Sequence, residues 1–194
     1  LSLEGRTCAL IGGGKVAFRK AQALIECGAE VRVVSPQLCP GFSRLKGRGL
    51  LWRKKKFSKN DLRGAFIAIA ATDDNSVNKK VYEAAAKLNM PVNVVDCPAL
   101  CSFIVPSVVR RGRLTIAIST SGASPALSKA IRIELEKRFK PEFAKLPNFL
   151  AEHSAEIINS PHRKEIWKLV PLAASGKLSA KKLIERIRLE LKND

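Results

Sequence analysis

Two short patterns in the chain combine residue types and spacings that can do chemistry. The first is Gly12-Gly13-Gly14-Lys15-Val16-Ala17, which fits G-x-G-x-x-A. In that pattern Gly12 permits a tight turn, Gly14 leaves room for a pyrophosphate to approach the backbone, and Ala17 lets the following helix pack closely on a sheet. The exposed N–H groups and the dipole at the helix start favour the anion. A glycine turn that serves only packing is the competing explanation; the flanking residues supply the strand and helix that the motif requires. The second pattern is Asp96, which closes the apolar run Val92-Asn93-Val94-Val95. A carboxylate at the carboxyl end of a parallel strand stands at the mouth of the ligand crevice, where it can act as a general acid or base. Its plainer alternative is a turn-forming Asp ahead of Pro98.

Further candidates surround these two. The acidic residue that usually ends the second strand and binds a ribose is absent, replaced by Val34-Ser35-Pro36. Ser35 can still exchange a hydrogen bond with a ribose hydroxyl, and Arg32 or Lys15 can meet a 2′-phosphate, so NAD and NADP both stay open. Ala71-Thr72-Asp73-Asp74-Asn75 follows another strand and faces the same crevice. It offers Ala71 and Thr72 as cofactor contacts, or simply a helix start capped by Asp74 or Asn75.

The elements that must position these residues follow from hydrophobic patterning. Short apolar runs at 7–12, 31–36, 65–72 and 91–96 predict buried parallel strands, with a further short strand near 50–53. Helices are expected after the glycine loop as far as Cys27-Gly28, around 38–48, and over 76–88. This alternation implies an α/β fold with a Rossmann-type doubly wound parallel sheet. FIVPSVV and LTIAIST flank Arg111-Gly112-Arg113 as a hairpin-like pair. Ser124 and Pro125 then open a helix. Beyond Pro141 the pattern is helical, with breaks expected at Pro147, Pro161, Pro171 and Gly176. The chain accordingly divides into a nucleotide-binding domain (1–112), a β-hairpin and helix segment (113–146) and a helical C-terminal region (147–194).

Composition narrows the class. The 194 residues carry 35 Lys and Arg against 17 Asp and Glu, a net charge of +18, with 46% hydrophobic residues. That balance excludes a disordered tail protein. No run approaches the roughly 18–20 apolar residues that span a bilayer, and the opening LSLEGRTCALIGGG lacks the layout of a signal peptide. A soluble, cytoplasmic protein without a membrane partner is expected. The charge is spread, with 20 basic against 8 acidic side chains over residues 1–113 and 15 against 9 over the remainder. Such a surface attracts polyanions: nucleic acid, anionic lipid or a polycarboxylate ligand. Only 2 Trp and 1 Tyr accompany the 8 Phe, which weakens a nucleic-acid reading, and no nucleic acid is expected as partner. The five cysteines (8, 27, 39, 97 and 101) form no CxxC pair and read as free thiols. His153 and His162 fall in the helical tail, and no resident metal site is expected.

Three stretches, GGGKVAFRKAQALIECGAEVRVVSP, AFIAIAATDDNSVN and VNVVDCPALCSFIVPSVVRRGRLTIAISTSGASPALSKAIR, resemble in order and spacing the precorrin-2 dehydrogenase and sirohydrochlorin ferrochelatase family, the N-terminal region of siroheme synthase. The resemblance covers roughly residues 3–140. It implies NAD-dependent oxidation of precorrin-2 to sirohydrochlorin in siroheme biosynthesis, with Fe2+ insertion as a second activity in many members. It also implies a homodimer joined through the central segment. Carried over by position, Asp96 matches the family's essential aspartate. Gly12, Gly14, Lys15 and Val16 match the cofactor loop, and Pro36 and Gln37 match a second cofactor contact. Thr120 stands where some members carry a phosphorylated serine. A polycarboxylate tetrapyrrole substrate would account for the positive charge, and Ser102, Phe103, Ser107 and Arg111 are the candidate substrate contacts. A non-catalytic Rossmann sensor, or a nucleic-acid-binding protein, is the rival class.

Overall fold

Each residue of the run Thr-Cys-Ala-Leu-Ile points to the opposite side from its neighbour, yet nearly all are hidden, which only a strand covered on both faces achieves. In the computed structural model, which describes residues 2–192, this run is β1 (Thr7–Ile11). Cys8 and Leu10 pack with Ala17, Ala21 and Leu24 of α1 (Lys15–Glu26). On the other face Ala9 and Ile11 pack with Val81, Ala84 and Ala85 of α2 (Asn75–Lys87). Alanines on both helices allow this close approach.

The sheet is completed by β2 (Glu30–Val34), β3 (Leu50–Arg53), β4 (Ile67–Ala70) and β5 (Val92–Val94). All five strands are parallel, in the order β3-β2-β1-β4-β5. The order reverses between β1 and β4, and it is at such a switch point that a doubly wound sheet opens its crevice. Ile11 is level with both Val34 and Ala70, and Ala70 with Val94, so the loops that follow these strands emerge at one edge.

Two expectations shorten. The helix expected around 38–48 is only a 3-10 stretch, Pro40–Leu45, because Gly47 and Gly49 adopt positive φ and stop it. The strand expected to reach Asp96 ends at Val94, and Asp96 sits in a left-handed turn at φ 59°.

The basic run 53–56 is sorted by a single buried acid. Asp61, 1% exposed, pairs with Arg53 at 3.2 Å and Lys55 at 2.8 Å, and also accepts hydrogen bonds from the Ser58 amide and hydroxyl. Lys54 lies over the Trp52 ring. Burial alone would raise the Asp61 carboxyl pKa, but the bonds from Lys55, Ser58 and Arg53 outweigh it and hold the group below its ordinary value.

The first compact unit ends at Val105 and the second begins at Pro106. In the second, β6 (Ser107–Arg111) pairs antiparallel with β7 (Leu114–Ile118), followed by α3 (Pro125–Arg138), whose N-cap Ser124 accepts from the Leu127 amide. Then α4 (Lys145–Glu152), α5 (Ser154–Asn159), α6 (Arg163–Ala174) and α7 (Ala180–Lys192) enclose Leu146, Phe149, Ile157, Ile166, Leu183 and Ile187.

The breaks expected at Pro147 and Pro171 do not occur. Pro147 lies in the first turn of α4, where no intrahelical N–H bond is lost, and α6 carries Pro171 near its end. The border drawn at residue 112 also differs from the observed division, since it would cut β6 from the strand it pairs with. At the hairpin tip a Cβ on Gly112 would meet Asn148 Oδ1 at 2.6 Å and the Ala144 carbonyl at 2.9 Å, and Asn148 Oδ1 accepts from the Arg113 amide. The hairpin thus rests on α4, within the same unit as the helical region.

Candidate active site

Three loops leave the carboxyl ends of β1, β2 and β4, and together with the turn after β5 they surround an open cleft of about 1240 Å³. Gly12, Gly14, Lys15, Val16, Ser35, Pro36, Gln37, Ala71, Thr72 and Asp96 all line it. The structure thus brings the expected cofactor residues and the expected acid into one space.

Steric crowding explains the first two glycines. A Cβ on Gly12, which has φ 122°, would run into the Ala71 carbonyl, and one on Gly13 would collide with the Gln37 carbonyl and lie 2.7 Å from Ser35 Oγ. Gly13 was not singled out by the motif reading, because the pattern leaves that position free. Nothing lies within 4 Å of a Cβ on Gly14, so the space above it is open to whatever occupies the cleft. Lys15 begins α1 without a side-chain cap, so its first amides are left for an anion. This is the arrangement that a dinucleotide pyrophosphate fits.

The β2 loop is fixed from below. Ser35 Oγ donates to the Gln37 carbonyl at 2.7 Å, and Trp52 Nε1 donates to the Ser35 carbonyl at 2.9 Å. The Cys39 amide donates to the Gly13 carbonyl. Arg32, considered above as a 2′-phosphate contact, instead donates to the carbonyls of Asp61 and Arg63 and does not line the cleft. Lys56 does, together with Phe57. No sequence signal separated Lys56 from its three basic neighbours, because the sorting depends on Asp61.

The β4 loop is held by Asn78, a buried polar residue on the inner face of α2 that sequence reasoning missed. Its Oδ1 accepts from Thr72 Oγ1 at 2.8 Å and its Nδ2 donates to the Thr72 carbonyl at 3.0 Å. Asp74 caps α2, accepting from the Ser76 hydroxyl and from the amides of Ser76 and Val77; the Ser76 hydroxyl bond is the main cause of its lowered pKa. The helix-cap alternative for this loop therefore holds for Asp74, alongside the placement of Ala71 and Thr72 at the cleft.

Asp96 is built differently. The Val95 amide extends the ladder to the Ala70 carbonyl, and the Cys97 amide closes the turn on the Val94 carbonyl. Left-handed backbone costs about 1 kcal/mol at a residue other than glycine, with Asp among the more tolerant types. Its carboxylate is exposed at the cleft and makes no hydrogen bond or ion pair among the described residues. Cys101 clasps the turn from behind. Its Sγ lies 3.2 Å from both the amide and the carbonyl of Val94 and 3.3 Å from the Cys97 carbonyl.

The four expected substrate contacts do not line the cleft. Ser102 Oγ accepts from the Val92 amide at 2.7 Å and so seals the free edge of β5. Phe103 packs into the core beside α1, and its carbonyl accepts from Asn93 Nδ2. Ser107 and Arg111 belong to β6 in the second unit. The Arg111 guanidinium donates to the carbonyls of Arg110, Glu136 and Phe139, two of which lie at the end of α3, an assignment that favourable charge at a helix C-terminus explains.

Comparison with known proteins agrees with this geometry. Residues 1–107 match the family described as putative NAD(P)-binding, and residues 111–138 match the one described as sirohaem biosynthesis protein central. The siroheme synthase of Nitrosospira multiformis is 37% identical over 210 aligned residues, covering 100% of this chain and 44% of the relative. That of Nitrosococcus oceani is 37% identical over 158, covering 81% and 34% respectively. The chain therefore spans less than half the length of these curated relatives. A solved structure of SirC, precorrin-2 dehydrogenase, superposes with a TM-score of 0.77 at 29% identity, covering 97% of this chain and 96% of that one. With the family pattern spanning the whole of the sheet that carries the cleft, the chain belongs to the putative NAD(P)-binding family and is a relative of the siroheme synthases.

Proposed function

We propose that this chain catalyses the NAD+-dependent dehydrogenation of precorrin-2 to sirohydrochlorin in siroheme biosynthesis. The observation that carries the reading is a single cleft in which a dinucleotide-type glycine loop and an unpaired carboxylate, Asp96, meet at the switch point of the sheet. The likeness to SirC and to siroheme synthases supplies the substrate.

NAD+, when bound, supplies the hydride acceptor. Gly12 to Val16 and the start of α1 hold the pyrophosphate, while Ser35, Pro36 and Gln37 border the adenosine end and Ala71 and Thr72 flank the crevice. Asp96 takes the proton released from the macrocycle as the hydride leaves a ring carbon, so precorrin-2 and NAD+ give sirohydrochlorin, NADH and a proton. Its exposure leaves room for the reacting carbon to approach, within the roughly 3–3.5 Å that such transfers need. Ser102 and Phe103 support, in this reading, the β5 edge that leads to Asp96.

Fe2+ insertion into sirohydrochlorin is the second activity of this reading, with iron as a substrate. Among the described residues no group of three or more His, Cys, Asp or Glu is gathered for a resident metal. We take the chain as a cytoplasmic homodimer. Leu127 and Ile131, one turn apart on α3, are exposed, an apolar surface suited to a second copy. Among the described residues no helix is long and apolar enough to cross a membrane.

The test is anaerobic absorption spectroscopy of the purified protein with precorrin-2 and NAD+, followed in the same cuvette by Fe2+. Appearance of the sirohydrochlorin spectrum with stoichiometric NADH is expected. An unchanged spectrum while NAD+ binds would mark the chain as a sensor.

A further inference from the structure

One cation at the cleft is neither engaged by the fold nor used by the mechanism above. Of the four basic residues at 53–56, Arg53 and Lys55 pair with Asp61, and Lys54 lies over the Trp52 ring. Lys56 makes no hydrogen bond, ion pair or ring contact among the described residues, and it is exposed where it lines the cleft.

Sheet register fixes which end of the cleft this is. Arg53, the last residue of β3, is level with Val34, the last of β2, and its carbonyl accepts from the Ser35 amide at 3.2 Å. The chain then turns, with the Lys55 amide donating back to the same carbonyl, so Lys56 emerges beside the β2 loop. In a doubly wound nucleotide fold, the end of the second strand is where the adenosine ribose lies. The next residue, Phe57, also lines the cleft and packs on the same core cluster as Val77, which gives a flat base an apolar wall.

Charge on this side of the cleft has one sign. A fold that selects NAD ends its second strand in an acid, which binds the ribose 2′-hydroxyl and repels a phosphate there. Here Val34, Ser35 and Pro36 occupy that stretch. The carboxylates that line the cleft, Asp73, Asp74 and Asp96, all follow β4 or β5, and β1 separates those strands from β2 and β3 in the sheet. A phosphomonoester carries about two negative charges at neutral pH, and an unpaired ammonium beside the ribose is its natural counterpart.

We propose that Lys56 is a cofactor-specificity residue that takes the 2′-phosphate of NADP+, so that the cleft accepts NADP+ as well as NAD+. The inference rests on the dinucleotide part of the reading above and does not depend on the macrocycle.

Calorimetric titration with NAD+ and NADP+, and with 5′-AMP and 2′,5′-ADP as the adenosine halves alone, tests it. The wild-type Kd for NADP+ should lie within about tenfold of that for NAD+. K56M should raise the ratio of the NADP+ Kd to the NAD+ Kd by about tenfold, the scale of one charge-assisted contact, and K56E should raise it further. The same change should appear in the ratio for 2′,5′-ADP over 5′-AMP, and K56R should keep the wild-type ratio. Added salt should weaken NADP+ more than NAD+ in the wild type, and this difference should shrink in K56M. Wild-type protein that binds NAD+ but not NADP+ would overturn the proposal. So would an unchanged ratio in K56M, which would hand the phosphate to another cation of the cleft such as Lys15 or Lys80. Should K56M melt below the wild type, K56Q is read in the same way. Folded wild-type protein that binds neither dinucleotide would sink the dinucleotide reading itself, an outcome told apart by the missing NAD+ signal.

Discussion

Asp61 and Asp96 lie in the same compact unit, and the fold treats them in opposite ways. Asp61 is buried, with both carboxylate oxygens committed to Arg53, Lys55 and Ser58. Asp96 is exposed, rides on a left-handed backbone and binds nothing in its own chain among the described residues. A satisfied carboxylate holds a loop together; an unsatisfied one, kept in place at some backbone cost, is free to act on something else.

Substitutions should separate the two carboxylates cleanly. Asp96→Asn, which keeps tolerance of the left-handed turn, should lower kcat for precorrin-2 oxidation by at least about a hundredfold, the usual scale for a lost proton acceptor. Its melting temperature and NAD+ affinity should stay at wild-type values; a large fall in either would assign Asp96 a structural role. Asp61→Ala should do the reverse and cost about 2–3 kcal/mol in urea denaturation, since Arg53 and Lys55 lose the buried partner they share. This figure is held down because both cations are themselves 41–45% exposed.

The pH dependence of stability should sharpen the contrast further. The Asp61 pKa is lowered in the folded state, so its contribution is present above the ordinary carboxylate value of 3.8 and fades as pH falls through the lower folded value. Urea midpoints measured from pH 5 downward should fall more gently in Asp61→Asn than in the wild type. A parallel pair of curves would remove Asp61 from the account. The smallest effect is expected for Cys101→Ala, which loosens the clasp behind Asp96. Stability should drop by about 1 kcal/mol and kcat by a few-fold, with NAD+ binding unaffected.

The sequence made much of the first unit legible, for a physical reason. A parallel strand buried on both faces must be apolar throughout, so Thr7–Ile11, Ile67–Ala70 and their neighbours stand out as runs. The glycine loop was readable because its constraints are steric and local, although Gly13 escaped a motif that leaves its position unspecified. Lys56 could not be told from Arg53 and Lys55 without knowing that Asp61 is buried between the latter two. Asn78 was hidden for a related reason, as a polar residue on an apolar helix face whose purpose appears only when Thr72 folds back onto it. The bonds of Arg111 to the carbonyls at the end of α3 were not legible, because charge suggests a ligand more readily than it suggests a helix terminus.

The two margins of the parallel sheet carry a last consequence. At β5 the outer amides of Val92 and Val94 are already occupied by the Ser102 hydroxyl and the Cys101 sulfur. At β3 nothing comparable plugs the rim among the described residues, and Leu51 and Trp52 stand exposed there. A bare, greasy rim invites another molecule to zip on strand by strand, the first step toward fibrils. A cation beside such a rim disfavours that pairing, and Lys54, over the Trp52 ring, is placed to do so.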